Sequence, residues 1–142
     1  AKDPLPAVDA PDSLLVNQVP ESLQAELDAA AAAGVRPVEA GGESFGALVN
    51  KGTIKWVVTK DGRLIVAPHS KGGVEISHAV LAQGAPVRAA GQADIAAAGG
   101  GFFGLEITPH SGHYMNGATA EQSAAVVEIG RDAFTRIGVI FR

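Results

Sequence analysis

Histidine is the side chain whose ordinary pKa lies nearest neutrality, so a gathering of histidines is where proton transfer is easiest. All four histidines of the 142-residue chain fall between positions 69 and 113, as His69, His78, His110 and His113. The densest stretch is Pro109-His110-Ser111-Gly112-His113-Tyr114, at the end of an apolar run. Pro109 and Gly112 argue against a helix there. The segment therefore reads as a loop that presents side chains while a sheet holds them still. Tyr114 is the only tyrosine in the chain and is suited to orienting a phosphate or a carbonyl. The plainer alternative is an internally bonded turn, with His69 and His78 as half-buried residues bonded to backbone.

Other chemistries fit the residues less well. There is no cysteine, which excludes a disulfide scaffold, a thiolate nucleophile and a cysteine-bound zinc. His78, His110 and His113 would make a three-histidine zinc set with an open fourth position, but helical ligand spacing is missing and no carboxylate adjoins the pair. No metal is expected. Ser77 or Ser111 beside a histidine suggests a serine hydrolase, yet neither lies in a Gly-x-Ser-x-Gly elbow. The glycines of Gly99–Gly104 are followed by an apolar strand pattern and by no Lys-Ser/Thr, so they do not form a phosphate loop.

The elements that would position these residues follow from periodicity and punctuation. Residues 1–18, with Pro4, Pro6 and Pro11 leading toward Pro20, read as an extended leader, and residues 19–142 as one domain. A helix is predicted from Pro20 to Ala33, stopped by Gly34. Strands follow at residues 54–59 and 64–67, joined by a Lys60-Asp61-Gly62-Arg63 turn whose Asp-Gly supplies positive φ values. Further strands are predicted at residues 74–81, 87–95 and 102–108. A second helix starts at a Thr119/Gln122 capping box, with Val127, Arg131 and Phe134 at helical spacing. Gly138 ends it before a short strand, Val139–Phe141. The predicted fold is α+β: an N-terminal helix, an antiparallel meander of about five strands, a C-terminal helix and a final strand.

Charge separates the ends from the middle. Residues 1–45 hold two basic and eight acidic residues, whereas residues 46–116 hold six basic and four acidic. The histidine-rich middle is thus the mildly basic part of an acidic protein, fit for an anionic ligand but far from a polybasic nucleic-acid face. No apolar run approaches the ~18 residues that span a bilayer. Without a basic and then apolar leader, the chain reads as a mature or excised domain.

Lys55-Trp56-Val57-Val58, Ser77-His78, the run Leu81–Gly91 and His110-Ser111-Gly112-His113-Tyr114 together resemble a module of plant IQ-motif calmodulin-binding proteins. Similar modules end bacterial polymorphic-toxin-like proteins. The resemblance covers roughly residues 54–137. It departs at Ser77-His78-Ala79, where the family has His-His-Ser, and at Met115-Asn116-Gly117, where Pro-Thr follows the tyrosine. No IQ motif is present, so calmodulin binding is not implied.

The resemblance implies a toxin-type effector domain, secreted or delivered into a target cell's cytoplasm, with a cognate immunity protein as partner. Histidine-based toxins of this size point to an RNase that needs no cofactor, with His78 and either His110 or His113 as base and acid. Lys71 or Arg88 would clamp the phosphate, with Ser77 and Ser111 as further substrate contacts and Tyr114 as an orienting group. One rival is ADP-ribosyl transfer or NAD cleavage, with NAD as cosubstrate and Glu106 or Glu121 stabilising the oxocarbenium. The other is a non-enzymatic module whose loop holds a ligand or protein.

Overall fold

The computed structural model describes residues 14–42, 45–49 and 52–141. A single 3-10 turn at Pro20–Ser22 leads into helix α1 (Leu23–Ala32). Proline costs nothing in a first turn, because its missing N–H would have had no partner there. The helix closes in a Schellman motif: Gly34 takes φ +77°, its N–H donates to Ala31 O, and the Val35 N–H donates to Ala30 O. The predicted helix is therefore present, its first three residues as the 3-10 turn and its last α-helical residue one short of Ala33.

A two-residue strand β1 (Val38–Glu39) and one turn of helix α2 (Phe45–Leu48) precede the hairpin of β2 (Ile54–Thr59) and β3 (Leu64–Pro68). In the turn only Gly62 takes a positive φ, +87°, and Asp61 does not. The Thr59–Arg63 backbone bond closes a longer loop than a two-residue Asp-Gly turn, so one left-handed residue suffices.

The predicted strand at 74–81 is replaced by two pieces, the second arm of a hairpin and a helix. Strands β4 (Ser70–Lys71) and β5 (Val74–Glu75) form a small hairpin of their own, and helix α3 (His78–Ala82) follows. Long strands β6 (Val87–Ala98) and β7 (Gly101–Thr108) come next, then α4 (Ala120–Thr135). The predicted final strand reduces to one bridge between Phe141 and Gly104.

The main sheet has five antiparallel strands in the order β1-β3-β2-β6-β7. The chain thus leaves β3, passes through the small hairpin and α3, and returns on the far side of β2. The fold is α+β, with an N-terminal helix, a five-stranded sheet and a C-terminal helix. β1 takes the place in the sheet that the sequence assigns to residues 74–81.

β2 is buried on both faces, and its alternation divides the protein into two cores. Ile54, Trp56 and Val58 face α4, where they meet Val126, Ile129, Ala133 and Phe134. The helix turns this stripe inward, with Val127 and Arg131 on its half-buried flanks. Trp56 lies flat against Gly130, where an added Cβ would come within 2.4 Å of the ring. Val57 belongs to the opposite core, with Ala30 of α1 and Ala79–Leu81 of α3. Lys55 points to this second side as well, and it is buried.

The capping box is formed as predicted: Thr119 Oγ1 accepts the Gln122 N–H at 3.1 Å, and Gln122 Oε1 accepts the Thr119 N–H at 2.7 Å. Thr119→Ala should lower the unfolding free energy by about 1 kcal/mol. A urea midpoint unchanged from wild type would show that α4 owes nothing to its cap.

Most of the predicted leader, residues 1–13, lies outside the described residues. Leu15 pairs with Val87 and Gln18 bonds to His113 O, so the following residues lie on the domain beside the histidine loop. Among the described residues no helix is long and apolar enough to cross a membrane.

Candidate functional site

Strand β7 ends at Thr108, and the loop after it is built by its own serine. Ser111 Oγ accepts the N–H groups of His113 at 3.4 Å and Tyr114 at 3.2 Å, and Met115 N–H donates to Ser111 O. Tyr114 is buried and donates its hydroxyl to Ala85 O at 2.9 Å. Burial, with the Glu26 charge adding to it, pushes its pKa up to about 12. The turn thus clamps itself by Ser111 and anchors itself by Tyr114, and it leaves His113 to face α1.

There His113 Nε2 lies 2.5 Å from Glu26 Oε2, the side chains being 19% and 23% exposed. Ser77, the residue before α3, donates its hydroxyl to Glu26 Oε1 at 3.2 Å, and the Ser22 hydroxyl lies 3.2 Å from Oε2. One carboxylate therefore gathers three elements around itself. A carboxylate bonded to one ring nitrogen fixes the tautomer and orientation of the ring and leaves the other nitrogen, here Nδ1, for a proton.

A second pair lies beside the first. Lys55 Nζ meets Glu75 Oε2 at 2.9 Å, with side chains 4% and 67% exposed. The hydrogen bond and charge of Lys55 hold the Glu75 carboxyl below the usual carboxylate range, with the charges of His69 and His113 adding to the effect. His78, the first residue of α3, is fully buried, and its Nε2 lies 2.7 Å from Gly91 O. A carbonyl only accepts, so Nε2 carries the hydrogen. Burial drives the His78 pKa down to about 3, with Lys55, His113 and His69 pushing the same way. Glu26, Lys55, His69, Glu75, His78 and His113 thus share one electrostatic neighbourhood.

The remaining predicted residues lie elsewhere. His110 is exposed and opens on a cleft of about 210 Å³ beside Thr53, Gln92, Asp94, Glu106 and Thr108. Lys71 borders a larger cleft of about 700 Å³, which also includes Arg36. Arg88 donates Nε–H to Lys60 O at the β2–β3 turn. Glu121 is exposed in the first turn of α4. Among the described residues no three His, Asp or Glu side chains are grouped to hold a metal ion.

Sequence reasoning finds His113 and Ser77 but misses Glu26, Lys55 and Glu75. Lys55 has a signal, being a lone cation inside the apolar strand Ile54-Lys55-Trp56-Val57-Val58. Glu26 has none, because its partner is 87 residues away. No family model, curated protein or solved structure compared with the chain matches it.

Proposed function

We propose that the domain cleaves RNA by general acid–base catalysis, with His113 as the base. The observation that carries this reading is the His113–Glu26 contact at 2.5 Å, half-buried and made across 87 residues. His113 Nδ1 takes the proton of a ribose 2′-hydroxyl, the oxygen attacks the adjacent phosphorus, and the 5′-oxygen leaves with a proton from a second group. His78, with a buried ring and its Nε2–H given to Gly91 O, serves as structure. The resemblance to polymorphic-toxin modules supports the wider reading of a delivered effector held in check by an immunity protein.

A second reading is a non-enzymatic binding module. It is favoured by the internal use of Ser111, Tyr114 and His78, whose polar atoms build the loop and its floor.

One experiment separates the two: the purified protein is incubated with total RNA, and separately with NAD, in EDTA. RNA cleavage that falls about 10²- to 10⁴-fold in His113→Ala, and also falls in Glu26→Gln, is the expected result. RNA left intact by wild type overturns the proposal. NAD loss in the second arm would then point to ADP-ribosyl or NAD-cleaving chemistry, and silence in both arms to the binding module.

A further inference from the structure

Lys55 is an expensive residue to keep. Its ammonium is removed from water in the middle of β2, and an ammonium has three donors to satisfy. Among the described residues its hydrogen-bond partner is the Glu75 carboxylate. Glu75 is largely exposed and sits on the β4–β5 hairpin, which has only two residue pairs and turns through Gly72 and Gly73 at φ +59° and +82°. A two-stranded hairpin this short has little stability of its own. The arrangement is a buried cation capped by an anion whose own side chain is largely in solvent.

We infer that Lys55 is the binding group for a phosphate-type oxoanion, and that Glu75 is its intramolecular stand-in, displaced when the ligand enters. The inference rests on the proposed phosphodiester chemistry for its ligand class and adds to it the group that would hold the phosphate. Neither Lys71 nor Arg88 is needed for that task. The charges nearby suit an anion: those of His69 and His113 are felt at Glu75, and Glu26, the other carboxylate, is bonded to His113, Ser22 and Ser77. With Glu75 swung away, the Lys55 ammonium has donors to offer an incoming oxoanion.

The test is calorimetric titration of the full chain with inorganic phosphate and, separately, with a 2′-O-methyl oligonucleotide that cannot be cleaved by 2′-hydroxyl attack. Glu75→Gln removes the competing charge and should tighten binding about fivefold, the upper end of what an exposed ion pair is worth. Lys55→Gln should abolish it. Tightening toward phosphate alone identifies a free anion as the ligand, and tightening toward the oligonucleotide identifies a strand phosphate. Because neither arm requires turnover, binding that responds to Glu75→Gln upholds the site even if RNA is never cut. Titrations in which Glu75→Gln binds no better than wild type overturn the inference. Since Glu75 is on the surface, that outcome does not depend on whether Lys55→Gln folds.

Discussion

Gly91→Ala is expected to lower the unfolding free energy by about 3 kcal/mol or more. Gly91 lies in the middle of β6, opposite Trp56 of β2. An added Cβ would come within 1.9 Å of Thr108 O and 2.7 Å of the Trp56 ring. Neither neighbour can retreat. Thr108 O is backbone of β7, and the Trp56 ring is also packed closely against Gly130 of α4. Phe134 adds an edge-on ring 6.2 Å away. Gly91 also supplies the carbonyl that holds His78, so a shift of β6 there disturbs the seat of α3. Gly46→Ala is the control: it lies in α2 with nothing within 4 Å, and there alanine should be neutral or slightly stabilising. Urea midpoints that fall equally for the two substitutions would refute the close approach at Gly91.

Acid should unfold the domain through His78. The ring is buried and neutral with its pKa driven down to about 3, whereas in the unfolded chain it returns to 6.5. Between those values the unfolded state holds a proton that the folded state does not. Stability therefore rises with pH across this window and is fully present above pH 6.5. It is lost as pH falls toward 3, at a slope approaching ~1.4 kcal/mol per pH unit. Roughly 3 kcal/mol should disappear between pH 7 and pH 4 on this account alone. The Glu75 carboxyl, held low by Lys55, acts in the same direction. Urea midpoints at pH 7, 6, 5 and 4 for wild type and His78→Gln isolate the histidine. The variant should start lower at pH 7 and show the shallower pH dependence. Parallel curves would mean that His78 titrates normally in the folded protein.

Elements with local signatures are legible in the sequence. Helix α1 has proline at one end and glycine at the other, α4 has its Thr119/Gln122 box, and β6 and β7 are apolar runs broken by Gly99–Gly100. The stretch 74–81 is not legible. Val74, Ile76, His78 and Val80 alternate as in a strand, but His78–Leu81 are all buried, and a fully buried turn of helix has no period to read. Val139–Phe141 reads as a full strand because apolar character alone does not supply a pairing partner, and only the Gly104 bridge forms. At the site, Pro109 and Gly112 correctly mark a presenting loop. What that loop presents is half hidden: the sequence offers four histidines as equals, whereas the fold buries His78 against Gly91 O, turns His113 to Glu26 and leaves His110 on another cleft.

The ties between residues 18–26 and residues 113–116 also have a kinetic meaning. The Gln18 side-chain amide donates to Asn116 O and accepts the Asn116 N–H, the Gln18 backbone N–H donates to His113 O, and Glu26 takes His113. Contacts this far apart in sequence are costly to close and form late in folding. A growing chain, or one broken before His113, holds Glu26 without its histidine. Under the proposed reading, the cell that makes this domain meets no RNA-cutting pair until His113 has been synthesised and the two segments have come together, so the window for a protective partner opens before the hazard does.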